Sequence, residues 1–257
     1  MPTTTAEGVD LFYETAGDGE TVTFVGEAGY GAWQWGWQAE ALTGPYGTLV
    51  WDLRGTGRSD CPPGPYSVDR LAADLEAVLS AAEADRTHLV GAGLGGMVAL
   101  AYAREYDRAR SLTLCGAAPN GGEVNENALR SLHAPTDDGA AIRDSLVAAF
   151  SEEFLTEQDD LVAQICEWRA ADDATREGFE AQVAAALDFE APPLYEVSLP
   201  ALVFQGGDDP VVPTSAGRSL AADLPRGTFE AVEGRRLHFV EHARAVSDRL
   251  AVFLDDV

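Results

Sequence analysis

Few side chains in this sequence have the chemistry for proton transfer, nucleophilic attack or metal binding. The chain has four histidines: His88, His133, His238 and His242. It has three cysteines: Cys61, Cys115 and Cys166. The cysteines are widely separated, lack the spacing of metal ligands and are odd in number, so they cannot all pair. The sequence therefore predicts free thiols, no structural metal site and no cofactor.

Two acid–base groups follow predicted strands near the end of the chain. GGDDPVVP, with Asp208 and Asp209, comes after the apolar run ALVFQG, and GRRLHFVEH, with His238, comes after GTFEAV. Carboxylate and imidazole side chains are common carriers of protons in active sites. The structural alternatives are a surface turn built on Asp-Pro and a histidine that starts a helix without a catalytic role.

The elements that must position these groups follow an alternating pattern. Short apolar runs alternate with amphipathic stretches, which favours parallel strands joined by helices. Predicted strands include VDLFYET, TVTFVG, GTLVWD, THLVG and SLTLCG, and residues 67–83 form a predicted helix with Ser67 as its N-cap. A glycine-rich stretch, HLVGAGLGGM at residues 88–97, connects one strand to the next helix.

Residues 118–195 carry helical patterns and no strand pattern. We therefore predict a core made of residues 1–117 and 196–257, with 118–195 as a helical lid over the carboxyl edge of the sheet. Open α/β sheets bind their ligands at that edge. Some apolar residues of the lid are candidates to line a pocket, with core packing as the alternative for most. These are Phe150, Phe154, Ile165, Trp168, Phe179 and Phe189.

Five stretches, in order, resemble one family. They are FVGEAGYGAW, WDLRGTGRSD, GAGLGG, GGDDPVVP and GRRLHFVEH. Over essentially the whole chain they are similar to the α/β-hydrolase superfamily, and most similar to lid-bearing enol-lactonases, carboxylesterases and haloperoxidases. The resemblance implies an α/β fold with a mostly parallel central sheet flanked by helices and a helical lid inserted after the sixth strand.

The resemblance also implies roles for individual residues. The family carries its nucleophile in a G-x-S-x-G turn between strand and helix. Here Gly91 and Gly95 match the flanking glycines, while Gly93 stands where the serine belongs, so the nucleophile position is vacant. Asp209 matches the carboxylate that orients the base, with Asp208 as the fallback, and His238 matches the base.

The oxyanion site resembles the family only in outline. The backbone amides of Ala28 and Leu94 correspond to the family's donors, but Gly26-Glu27 replaces the usual His-Gly pair. A carboxylate there opposes anion stabilisation unless it points to solvent, carries a proton or acts as a base. An outward, solvated Glu27 is the simplest expectation.

These departures leave two functions open, so the sequence does not decide whether the chain is an enzyme. The first is a hydrolase of a small ester, lactone or related carbonyl compound, in which His238 and Asp209 activate water or abstract a proton without a serine. The alternative is an inactive pseudoenzyme that binds a small molecule. Cys115 is disfavoured as a substitute nucleophile because its neighbours are apolar. Candidate binding residues are Glu27, Tyr30, Trp33, Met97 and Trp168, with Trp35 and Trp37 as further aromatic contacts.

The charge of the chain limits its partners. It has 43 acidic and 17 basic residues, a net charge of −26, and every basic residue is arginine. Such a field disfavours nucleic acid and anionic membranes as partners. The acid-rich, lysine-free composition resembles proteins of high-salt cytoplasms. We expect a halophilic, cytoplasmic protein without a signal peptide that binds a small-molecule substrate or ligand. A homo-oligomer is left open.

Overall fold

One sheet forms the centre of the molecule in the computed structural model, which describes residues 2–257. Within that range its strands are β1 (Thr3–Ala6), β2 (Val9–Ala16), β3 (Thr21–Val25), β4 (Gly47–Trp51), β5 (Thr87–Ala92), β6 (Ala109–Cys115), β7 (Ala201–Gly206) and β8 (Gly227–Val232). Their order is β1-β2-β4-β3-β5-β6-β7-β8, and β2 pairs antiparallel with both β1 and β4. All other pairings are parallel, which confirms the predicted mostly parallel α/β sheet.

Helices cover both faces of the parallel strands. They are α1 (Gly36–Leu42), α2 (Val68–Ala81), α3 (Leu94–Glu105), α9 (Thr214–Asp223) and α11 (Ala243–Asp255). The strands β5 and β7 are buried along their whole length, as expected for parallel strands covered on both faces. Helix α2 begins where its cap was predicted, because the Ser67 hydroxyl accepts a hydrogen bond from the Arg70 amide at 3.2 Å.

The helices predicted between the sixth and seventh strands are present. They are α4 (Glu126–Arg130), α5 (Gly139–Ala149), α6 (Glu152–Glu157), α7 (Asp159–Asp172) and α8 (Arg176–Leu187). The two ends of this segment are hydrogen-bonded to each other, from the Gly121 amide to the Phe189 carbonyl and from the Ala191 amide to the Pro119 carbonyl, both at 2.8 Å. The interpretation of residues 118–195 as a lid stays a prediction.

A buried ion pair attaches α7 to the loop that follows β3. Arg169 donates to Asp173 Oδ2 at 2.6 Å and to the Ser145 hydroxyl at 2.7 Å. Asp173 Oδ1 in turn accepts the indole N–H of Trp33 at 2.9 Å. The inserted helices are therefore held to the core by paired charges as well as by apolar contacts.

The carboxyl ends of the parallel strands bring five loops to one edge of the sheet. The residues that matter for the site lie just beyond β3, β5, β6, β7 and β8, and they are Glu27, Gly93, Gly116, Asp209 and Arg236. Within residues 2–257, no helix has both the length and the apolarity needed to span a membrane.

Candidate functional site

A single residue, Gly93, forms the turn between β5 and α3. Its backbone lies at φ 49° and ψ −108°, a conformation that side chains with a Cβ rarely adopt. A Cβ added at Gly93 would overlap Glu27 Oε2 and Arg236 Nη2. The space beside this turn is thus already filled by two charged side chains.

The carboxylate of Glu27 accepts hydrogen bonds from the two backbone amides that the sequence indicated as oxyanion donors. Glu27 Oε1 accepts hydrogen bonds from the Ala28 amide at 2.7 Å and from the Leu94 amide at 3.2 Å. The residue is only 1% exposed, so the expectation of a solvated, outward Glu27 is wrong. The Ala28 and Leu94 amides converge on this internal anion, and their role as oxyanion donors stays a prediction. The physical reason for the burial of Glu27 is a buried cation that compensates its charge.

That cation is Arg236, which sequence reasoning missed. Its Nε donates to Glu27 Oε2 at 2.5 Å, and Nη2 lies against the same oxygen. Its Nη1 donates to the Gly116 carbonyl at 2.7 Å and to Asp209 Oδ2 at 3.0 Å. Burial lowers the pKa of Arg236, but the charges of Glu27 and Asp209 outweigh burial and hold that pKa above its ordinary value. One guanidinium therefore bridges two buried carboxylates.

Asp209 is fully engaged within this cluster. Its Oδ1 accepts the Val211 and Val212 amides at 2.8 and 3.2 Å. Its Oδ2 accepts the Gln205 side-chain amide at 2.9 Å in addition to Arg236. The fallback residue Asp208 is exposed instead. Asp209 thus lies beside Gly116 and is linked to the Gly93 turn through Arg236.

His238 lies apart from this hydrogen-bond network. It is the first residue of the short helix α10 (His238–Glu241) and is 0% exposed. Its Nδ1 is 3.2 Å from the Arg235 carbonyl, and its Nε2 has no hydrogen-bond partner within residues 2–257. Burial lowers the pKa of His238 to about 4, although the charge of Asp209 acts in the opposite direction.

The hydrogen bond between His238 and Asp209 that the predicted dyad requires is not formed among the described residues. Both oxygens of Asp209 accept hydrogen bonds from other groups, and Oδ2 is shared by Arg236 and Gln205. Both residues follow the strands that the sequence indicated. The side chain that bridges Asp209 and the Gly93 turn, however, belongs to Arg236, two positions before His238.

Comparisons with known proteins agree with this architecture. Residues 24–243 match the model of the family described as alpha/beta hydrolase fold. The chain belongs to the α/β-hydrolase family. The predicted family and fold are thereby confirmed.

Individual members of the α/β-hydrolase family are similar over nearly their full lengths. A Variovorax paradoxus protein named RutD, described as a candidate carbamate hydrolase, is 30% identical over 95% of this chain and 96% of its own. The 3-oxoadipate enol-lactonase 2 of Acinetobacter baylyi is 26% identical over 95% of this chain and 92% of its own. The crystal structure of the enol-lactonase from Burkholderia xenovorans LB400 superposes with a TM-score of 0.87, at 23% identity, over 99% of this chain and 100% of that one.

Within this α/β-hydrolase fold, the predicted binding residues separate into two groups. Tyr30 and Met97 are buried, and the guanidinium of Arg169 lies 4.5 Å above the Tyr30 ring centroid. Trp33 and Trp168 are half-buried, with ring centroids 6.3 Å apart. Tyr30 and Met97 are therefore core residues, whereas Trp33 and Trp168 face a surface groove.

Of the remaining candidates, Trp37 is half-buried and lines the same groove, whereas Trp35 and Cys115 are core residues. Trp35 is fully buried and stacks on Phe239 at a centroid distance of 4.5 Å. Burial raises the pKa of the Cys115 thiol to about 12, against the opposing charge of Arg236, so the thiolate needed for attack is disfavoured. Cys115 is not a substitute nucleophile at neutral pH.

One sequence signal pointed toward Arg236. A carboxylate such as Glu27, placed at the carboxyl edge of a buried sheet, needs a cation if it is not solvated. The chain has few cations, and two of them, Arg235 and Arg236, lie three and two positions before the predicted base. The contact itself spans 209 positions, so the sequence alone does not reveal which of the two arginines turns inward.

Proposed function

We propose that this protein is a small-molecule-binding member of the α/β-hydrolase family that does not carry out acyl transfer. Gly93 corresponds to the family's nucleophile position and supplies no attacking group. The observation that carries the proposal is the Glu27 carboxylate, which accepts both amides of the oxyanion site while Arg236 fills the space beside Gly93.

The requirements of acyl transfer are not met at this site, which supports the proposal. Such chemistry needs a nucleophile, a base that activates it, and free donors aimed at the developing oxyanion. A substrate carbonyl could reach the Ala28 and Leu94 amides only by displacing Glu27. That displacement would remove one of the two carboxylates that compensate the buried Arg236, which is strongly unfavourable.

The general-base alternative, in which His238 and Asp209 activate water, has weaker support. A general base works best when its pKa is near the operating pH, and burial holds the pKa of His238 at about 4. Its Nε2 lies in a fully buried position, and Asp209 accepts hydrogen bonds from other groups. We therefore favour the binding function over catalysis by this pair.

A surface groove supports the binding half of the proposal. It has a volume of about 910 Å³, and Trp33 and Trp168 are among its lining residues. Ligand pockets commonly measure roughly 300–1,000 Å³ and are lined by aromatic and apolar side chains. The groove thus has the size and lining of a ligand site, whereas the residues around Gly93 are closed to solvent.

The names of the relatives supply the substrates for the test. Purified protein is incubated with p-nitrophenyl acetate, with a five-membered enol-lactone and with a simple carbamate. We expect no turnover above background and no change in background when His238→Gln is compared with the matched variant His242→Gln. Turnover of any of the three that disappears in His238→Gln but persists in His242→Gln would overturn the proposal.

A second arm of the test restores the hydroxyl. Gly93→Ser forces a side chain against Glu27 and Arg236 at a positive φ, so we expect a protein destabilised by about 1–3 kcal/mol and still without esterase activity. An acyl-enzyme burst with p-nitrophenyl acetate in this single variant would mean that the rest of the catalytic machinery is intact and would contradict a binding role.

A further inference from the structure

The groove lies on the side of the molecule where α1, β4 and α7 meet. Three tryptophans line it: Trp33, which precedes α1; Trp37, on α1; and Trp168, on α7. The described lining residues include none of the Glu27, Gly93, Asp209 and Arg236 cluster. The groove is thus a separate site from the closed edge of the sheet.

The three indoles form one contiguous aromatic surface. Trp33 and Trp168 are nearly parallel, with an interplanar angle of 22°, and Trp37 meets Trp168 edge-on at 77° with a centroid distance of 5.7 Å. All three are half-buried, in contrast to Trp35 and Trp51, which are fully buried. The indole of Trp33 is fixed by its hydrogen bond to Asp173. A rigid, partly exposed aromatic wall is therefore available to a ligand.

The charges that line the groove have one predominant sign. Its carboxylates are Glu14, Glu40 and Asp172, and its cation is Arg58. Arg58 is already engaged, because it pairs with Glu14 at 3.1 Å and its guanidinium lies 3.4 Å from the Phe12 ring centroid. Glu40 and Asp172 have no ion-pair partner among the described residues. The groove therefore carries uncompensated negative charge next to its aromatic wall.

We propose that this groove binds an organic cation that carries an ammonium group on an apolar body. The faces of tryptophan rings attract cations, and aromatic surfaces are used to recognise quaternary ammonium groups. Asp172 and Glu40 add charge complementarity, whereas an anion would be repelled by these two unpaired carboxylates and a neutral molecule would gain nothing from them. The inference rests on the proposed function, because it names the ligand class and the site through which a binding protein of this kind would act.

The test uses three probes of similar shape and different charge. Benzyltrimethylammonium, benzyl alcohol and benzoate are titrated into the protein, with tryptophan fluorescence and calorimetry as readouts. We expect saturable binding of the cation, with affinity at least tenfold higher than for the alcohol or for benzoate. Trp168→Leu and Asp172→Asn should each weaken cation binding by about tenfold, in line with the upper range of cation–aromatic and charge contributions.

Matched variants elsewhere on the surface serve as controls. Tyr195→Leu removes an aromatic side chain that is 74% exposed, and Asp85→Asn removes an exposed carboxylate; neither residue lines the groove, and neither change should alter cation affinity. Equal affinity for the three probes, lack of saturation, or equal losses in groove and control variants would overturn the inference. If the protein shows neither turnover nor cation binding, only the groove assignment is contradicted. If it shows turnover that depends on His238, the proposed function is contradicted and the groove assignment is unaffected.

Discussion

At the residue scale, Glu27 couples the backbone of the Gly93 turn to Arg236. Its carboxylate accepts hydrogen bonds from two backbone amides and forms an ion pair with Arg236. Arg236 is also paired with Asp209. In a buried network of this kind, removing one member leaves the others without compensation. The carboxylate that accepts the Ala28 and Leu94 amides therefore also stabilises the fold.

The network predicts chemical rescue by an added carboxylate. Glu27→Gly leaves the Ala28 and Leu94 amides without their acceptor and Arg236 with a single carboxylate partner. We expect the free energy of unfolding to fall by about 3–5 kcal/mol. Acetate should then raise the melting temperature of the variant in a concentration-dependent way, because it binds only the folded form. Acetamide is the neutral control, and an equal response of the wild-type protein to acetate would contradict this explanation.

His238 predicts a specific pH dependence of stability. Burial holds its pKa at about 4 in the folded protein, below the ordinary value of 6.5. The stabilisation from the neutral imidazole is therefore complete above pH 6.5 and is lost as the pH falls toward 4, since the unfolded chain takes up the proton first. Between pH 7.5 and 5, the wild type should lose about 2 kcal/mol more unfolding free energy than His238→Gln in urea titrations. Parallel pH profiles for the two proteins would rule out this role.

At the scale of elements, the sequence predicted positions better than contacts. The β–α alternation, the Ser67 cap and the inserted helices were all visible because each depends on local patterning. The helical pattern of residues 118–195 did not show the break after Ala149, where Phe150 is extended and Ser151 caps a new helix by accepting the Phe154 amide at 3.1 Å. The short strand β1 was missed because only its pairing with β2 makes it a strand.

The same distinction explains what could be foreseen of the site. Ala28, Leu94 and Asp209 lie beyond the carboxyl ends of β3, β5 and β7, and local patterning makes those strands recognisable. The inward turn of Arg236 depends on long-range charge compensation, which local patterns do not encode. For the same reason the sequence favoured His238 as the partner of Asp209.

The ion pair at the end of α7 predicts how firmly the inserted helices are held. Arg169→Met leaves the buried carboxylate of Asp173 without its cation, and we expect a loss of about 3–5 kcal/mol together with faster proteolysis within residues 118–195. The control is Arg143→Met, which breaks an exposed ion pair between Arg143 on α5 and Asp159 at the start of α7 and should cost less than about 1 kcal/mol. The unfolding free energy is measured by urea denaturation and the proteolysis by timed trypsin digestion. Similar losses of stability in both variants would mean that burial of the Arg169–Asp173 pair does not matter.

At the scale of the whole molecule, the net charge of −26 predicts a strong dependence of stability on salt. Repulsion among surface carboxylates destabilises the compact state, and added salt screens it. We expect the melting temperature to rise steadily between 0.1 and 2 M KCl. A variant with amides in place of the exposed carboxylates of Asp18, Asp137 and Asp256 should show a smaller rise. Identical salt profiles for variant and wild type, measured by differential scanning calorimetry, would remove charge repulsion as the cause.

The paired ends of the inserted segment have a consequence for how such a fold can diversify. Because the chain leaves the core near Pro119 and returns near Ala191 across a 2.8 Å hydrogen bond, the inserted segment starts and ends at one place on the core. A different set of helices could be exchanged between those two points without moving β6 or β7 out of register. Such an exchange must still rebuild the buried contacts with the core, such as the hydrogen bond between Asp173 and Trp33.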